Sequence, residues 1–217
     1  MDGAAKFLLN RAFQEQIILV KPVNEKDKML YDRFRASYLS LPYTGTRPKL
    51  IETTLQDFKS FIKKGGNTTF VMPSLDEATT KKFMNSLITT SNNVAGTITV
   101  FGTKEWMQFD DINGAYKNKY NFTFSASNDF NYSSDATKSL SKKYRKDYSA
   151  DLPKMAVQGF DVVMYFSMKY LLLKEPSAGV MSDFEMVQKG AGNGYENSNC
   201  FILQQKDFEI VKIDKIK

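Results

Sequence analysis

Residues 69–102 read TFVMPSLDEATTKKFMNSLITTSNNVAGTITVFG, and this stretch decides the fold. Thr69 to Met72 is a short β-prone run. Pro73-Ser74 breaks it, and Ser74 and Asp76 suit the cap of a following helix. Ala78, Phe83, Met84, Leu87 and Ile88 then recur at helical spacing. Thr97 to Phe101 is a second β-prone run, ended by Gly102. A strand, a helix of crossover length and a strand predict a right-handed βαβ unit with parallel strands.

Upstream, the pattern repeats. Ile17 to Val20 (IILV) is apolar throughout, as in a strand covered on both faces. It ends at Pro22, Asn24 can cap a helix, and Met29, Leu30, Phe34 and Tyr38 give that helix an apolar face. Pro42 to Pro48 interrupts it. A strand at Leu50 to Glu52 and a helix through Leu55, Phe58, Phe61 and Ile62 complete another cycle, which stops at Gly65-Gly66. Three strand–helix alternations predict an α/β fold, a three-layer arrangement with a parallel sheet of four strands between Ile17 and Phe101.

Downstream of Gly102 the rhythm changes. Tyr120 to Ser125 reads as a strand, Ser134 to Tyr148 as an amphipathic helix and Met155 to Leu173 as a long apolar helix. Met181 to Gln188, Cys200 to Gln204 and Phe208 to Ile213 read as short strands forming a C-terminal antiparallel hairpin, with Asn193-Gly194 as a turn.

Composition excludes whole classes of chemistry. The 217 residues contain no histidine and one cysteine, Cys200. Intramolecular disulfides, Ser/His/Asp and Cys/His nucleophiles, and thiolate or HExxH zinc sites are therefore ruled out. No cofactor or metal is expected, and no pair of carboxylates is linked by a recognisable motif. Asp110-Asp111 diverge and read as solvated loop acids. The net charge of +6 is mild, and Lys138 to Lys146 (KSLSKKYRK) reads as the solvated face of a helix over Leu140 and Tyr144, so no nucleic-acid partner is expected. Val162 to Leu173, interrupted by Lys169, falls short of the roughly 20 residues of a membrane span. Gly190-Ala-Gly192-Asn-Gly194 lies between strands and reads as a turn rather than a phosphate loop. Asn67, Asn121 and Asn131 begin N-x-[ST] triplets, a pattern common by chance.

Open α/β sheets bind ligands where loops diverge at the carboxyl ends of the strands. Three loops qualify: Lys21 to Asn24, Pro73 to Asp76 and Gly102 to Trp106. Each also reads simply as a turn and a cap, and Trp106 as a packing residue.

The residues of VMPSLDEATTKKFMNSL and ITVFGTKEWMQFDDI, between Val71 and Ile112, resemble the third strand, helix and fourth strand of the second lobe of type I periplasmic binding proteins. The resemblance is to the receptor-type ligand-binding region that follows LysM repeats in Gram-negative envelope proteins and is similar to amino-acid transporter substrate-binding proteins. DLPKMAVQGFDV, from Asp151, with Tyr165 beyond it, resembles a helix of that family. Gly194-Tyr-Glu-Asn with Phe201-Ile-Leu resembles its terminal hairpin. The likeness spans most of residues 4–213.

It implies a chain corresponding to the C-terminal part of the fold, with an upstream lobe missing. Residues 1–120 would be the βαβ repeats of the second lobe, 121–175 a crossover strand and helices packing on the first lobe, and 176–217 a hairpin returning to the second. The implied ligand-binding positions are Asn24, Ser74, Asp76, Thr103, Lys104 and Trp106. Where amino-acid binders of this fold supply an acid to the ligand's ammonium group stand Lys104 and Glu105. An inward Lys104 would favour an anionic ligand. Lys174 to Val180 replaces a longer family segment.

The expected function is a non-catalytic binding or sensing module for a small polar ligand in the periplasm or cell envelope of a Gram-negative bacterium, its signal sequence lying outside this chain. The alternative is a peptidoglycan-associated scaffold or protein-interaction domain. The apolar circumference of the helix through Val157, Phe160, Met164 and Tyr165 expects cover. Its partner would be the missing lobe, another envelope protein or a second copy.

Overall fold

Each strand read from the sequence forms, the one expected from Met181 shortened to Met186–Gln188, and Tyr195–Asn197 adds another. In chain order they are β1 (Gln16–Val20), β2 (Leu50–Thr53), β3 (Thr68–Val71), β4 (Ile98–Gly102), β5 (Thr123–Ala126), β6 (Met186–Gln188), β7 (Tyr195–Asn197), β8 (Cys200–Lys206) and β9 (Glu209–Ile216). The computed structural model describes residues 1–11, 16–45, 47–63, 65–92, 96–188, 190 and 192–216. Ala191, inside the glycine-rich turn, lies outside the described residues. Two compact units emerge, 1–125 with 202–216, and 126–201.

In the first unit the sheet order is β2-β1-β3-β4-β5-β8-β9, and β1 to β5 run parallel to one another. The four parallel strands expected between Ile17 and Phe101 are β1 to β4, and β5, expected as a strand from Tyr120 to Ser125, extends the parallel sheet beside β4 through the register Phe101↔Thr123. Register also sorts the core. Ile18, Phe70 and Val100 are cross-strand partners, as are Leu19, Val71 and Phe101, so the two sets point to opposite faces.

On the Phe70 face an aromatic column runs along the sheet. Phe70 meets Phe58 edge-on at 5.4 Å, Phe58 lies 4.8 Å from Phe83, and Trp106 stacks on Phe122 at 5.2 Å. Phe83 comes from α3 (Glu77–Ser91). On the other face lies α1 (Asp2–Arg11), whose Phe7 reaches Phe101. Alongside it packs α2 (Glu25–Ser40).

Three local expectations are corrected. The helix expected through Leu55 to Ile62 is a single 3₁₀ turn, Phe58–Phe61, which delivers Phe58 to the core and stops. The buried face of α2 is Asp27, Tyr31, Phe34 and Tyr38, while Met29 is 71% exposed. The last strand begins at Glu209, because Asp207 and Phe208 both take positive φ, 51° and 64°. That is the backbone of a two-residue primed hairpin turn.

The short α4 (Gly114–Lys119) belongs to the first unit. The second unit holds α5 (Asp135–Tyr148) and α6 (Lys154–Phe166), the latter running on into one π-helical turn, Ser167–Leu171. β6 and β7 pair antiparallel across Asn193-Gly194. Asp161, buried on α6, accepts the backbone N–H groups of Val180, Met181 and Ser182 at 2.6, 2.9 and 2.8 Å. Gly179 permits this: a Cβ there would stand 2.6 Å from the Asp161 Cγ.

Candidate functional site: the carboxyl edge of the parallel sheet

The strand order reverses between β1 and β3, since the chain passes from β1 to β2 on one side and then to β3 on the other. In open α/β sheets that reversal opens a crevice between the two following loops. Here those loops carry Asn24, which caps α2, and Ser74 and Asp76, which precede and cap α3. Asp76 Oδ2 accepts the Thr79 amide at 2.7 Å. The Thr79 hydroxyl, and after it that amide, hold the Asp76 carboxyl below its ordinary value.

Asp27, 1% exposed, joins the two loops. Its Oδ2 accepts from Ser74 Oγ at 2.7 Å and Asn24 Nδ2 at 3.1 Å, and its Oδ1 accepts from the Leu75 amide at 2.8 Å. Sequence reading missed Asp27. Its place three residues after Asn24 marks a helix start, but nothing local shows that its carboxylate reaches across to residue 75.

Thr103 and Trp106 belong to the same network from the β4 side. The Thr103 hydroxyl and the Trp106 indole N–H both donate to the Ser74 carbonyl, at 3.0 and 2.8 Å. Trp106 is completely buried in the aromatic column. Lys117, also buried, donates to the Trp106 carbonyl at 2.5 Å, and burial lowers its pKa. Of the six residues singled out from sequence, Asn24, Ser74, Asp76, Thr103 and Trp106 converge within this edge. Lys104 stands exposed on the 3₁₀ turn Lys104–Gln108.

Beside the network, on the β2 side, an open groove of about 400 Å³ is lined by Lys21, Asn24, Lys28, Tyr31, Asp32 and Glu52, among others. Tyr31 donates to Glu52, whose other oxygen accepts Arg35 Nε at 2.8 Å. Burial first, then the Glu52 carboxylate, raises the Tyr31 phenol above its usual pKa. The Tyr31 and Arg35 hydrogen bonds in turn lower that of Glu52. Sequence reading missed this triad, whose members lie on α2 and β2.

The four residues expected at an interface divide into two pairs. Val157 and Tyr165 are buried, Tyr165 against Phe184 at 5.0 Å. Phe160 and Met164 are 40% and 42% exposed, and Val163, Phe166, Tyr170 and Leu171 to Leu173 are exposed with them. Among the described residues no helix is long and apolar enough to cross a membrane.

Neither the family models nor the curated proteins compared with this sequence match it. Solved structures do. Haemophilus influenzae LpoA matches through its C-domain, described as a regulator of PBP1A. The TM-score is 0.53 at 14% identity, over 98% of this chain and 65% of that one. A longer LpoA chain matches at 0.53 and 15% identity, with 98% of this chain covering 38% of it.

A Rhodospirillum rubrum protein assigned to branched-chain amino acid ABC transport gives 0.61 at 12% identity, over 98% and 64% of the two chains. A branched-chain amino acid ABC transporter periplasmic ligand-binding protein from Burkholderia xenovorans gives 0.58 at 10%, over 99% and 62%. By these descriptions the neighbours are binding or regulatory proteins, and this chain spans less than two thirds of the length of each. The likeness is one of fold: this chain has the architecture of the type I periplasmic binding proteins.

Proposed function

We propose that this chain is a non-catalytic docking module of the periplasm or cell envelope, and that its working surface is the apolar side of α6 and the turn that follows it. One observation carries this reading. Phe160, Val163, Met164, Phe166, Tyr170 and Leu171 are all exposed along one continuous helical stretch, with Leu172 and Leu173 exposed just past its end, and a large exposed apolar patch marks a protein interaction site. The residues at the carboxyl edge of the sheet, by contrast, spend their polar groups on one another. That LpoA of the same fold is described as a regulator of PBP1A supports a protein partner, which here would be a further lobe or another envelope protein.

Light scattering on the purified chain over a range of concentrations tests the reading. Without its partner the patch should drive reversible self-association. A Val163→Lys/Leu172→Lys variant should return the chain to monomer while changing unfolding stability by no more than about 0.5 kcal/mol, the usual cost of an exposed substitution. A strictly monomeric chain at high concentration would overturn it.

A second reading rests on the groove of about 400 Å³, a volume within the range of small-ligand sites. Lys21, Lys28 and Glu52 there would suit a small polar ligand bearing both signs of charge. A thermal-shift screen with amino acids, short peptides and muropeptides tests it, because a ligand that binds only the native state raises apparent stability. No shift with any of them would remove this reading.

A further inference from the structure

We infer that the crevice at the strand-order reversal is a carboxylate-binding cradle filled from within: Asp27 stands where an external carboxylate would bind, and keeps that edge closed to anionic ligands. The cradle is defined by what it holds. A carboxylate lies in it, buried, on a side-chain amide, a hydroxyl and a backbone N–H from two different loops.

Two of the donors, Ser74 and Asn24, are fixed independently of the Asp27 side chain. Ser74 is anchored through its carbonyl by Thr103 and Trp106 and through its amide by the Met72 carbonyl at 2.9 Å. Asn24 is held by the Asp27 backbone amide, which donates to its Oδ1 at 2.9 Å. That bond survives replacement of the Asp27 side chain. None of the three donors carries a formal charge, so the cradle recognises a carboxylate by hydrogen bonding and by the helix N-termini around it.

Deleting the carboxylate leaves the Leu75 amide without its acceptor and the Ser74 hydroxyl with only a long bond, 3.4 Å, to the Asp76 carbonyl, and donors that lose their acceptor are costly. A small acid added to the solution should therefore bind where the side chain was. The carboxyl group that Asp27→Ala removes is matched by formate, while Asp27→Gly also makes room for the methyl group of acetate. This inference is independent of the docking surface on α6 and is read out by different residues.

The experiment is carboxylate rescue. Sodium formate should raise the apparent melting temperature of Asp27→Ala by roughly 3 to 5 °C at a tenfold excess over its dissociation constant, relative to sodium chloride at equal ionic strength. The wild-type chain and an Asp27→Ala/Ser74→Ala variant should not respond. Equal response of wild type and Asp27→Ala, or no response of a folded Asp27→Ala, overturns the inference. Should neither Asp27 variant fold, the wild type still decides. Its Leu75 amide resonance should stay unmoved by formate, acetate or glutamate, and a saturable shift would show the crevice open and the inference wrong.

Discussion

Gly102 ends β4 with no room for a side chain. A Cβ at this position would lie 2.9 Å from both the Trp106 and Phe122 rings, which stack within 5° of parallel. Gly102→Ala should therefore cost about 1 to 3 kcal/mol through overpacking. The lower denaturant midpoint should come with altered fluorescence of Trp106, the chain's only tryptophan. At Phe208 the sign reverses. Its φ of 64° is left-handed and its ring is 69% exposed, so the side chain carries a backbone penalty with little burial in return. Phe208→Gly gives the Asp-Gly turn preferred in primed hairpins and should stabilise by about 0.5 to 1 kcal/mol. Equilibrium unfolding measures both.

Among the elements, α1 is fastened to α2 by charge as well as packing. Asp2 accepts from Arg33 Nη2 at 2.7 Å and from Ser37 Oγ at 2.6 Å. The Arg33 hydrogen bond is the main reason its pKa falls to about 2 from an ordinary 3.8. A lowered carboxylate pKa contributes stability that is fully present above the unfolded value and fades as pH drops through the folded one. The pair is half exposed, so its worth is discounted to a few tenths of a kcal/mol. Asp2→Asn should lose that amount at neutral pH. It should also flatten the decline in stability between pH 4 and 2, as acid titration followed by circular dichroism would record.

The same elements show what the sequence makes legible. Caps and breaks are local, so Asn24, Asp76 and Ser134 appear as helix starts where the structure has them. Which side of a helix is buried is not local. On α2 the core takes Tyr31, and the polar Asp27 beside it, and leaves Met29 in water, because the demand comes from β2 and the residue 75 loop. The 3₁₀ turn at Phe58 is likewise set by tertiary packing: one ring fits between Phe70 and Phe83, and no second turn is needed. The polar edge was legible as a set of loops, while the carboxylate joining them was not.

For the whole molecule, the decisive trait is the route of the chain. It leaves the first unit after Ser125 and comes back at Ile202, and the strands on either side of this excursion, β5 and β8, are neighbours in one sheet. A protease cut within 126–201 would therefore produce two pieces whose strands remain bonded in a single sheet. β8 and β9 would belong to the smaller piece and still complete the larger one, with Gln205 donating its amide to the Phe122 carbonyl at 2.8 Å. The nicked protein should elute as one species under native conditions and run as two bands in denaturant. The two halves, expressed separately, should be able to find each other again, making the chain a natural candidate for fragment complementation.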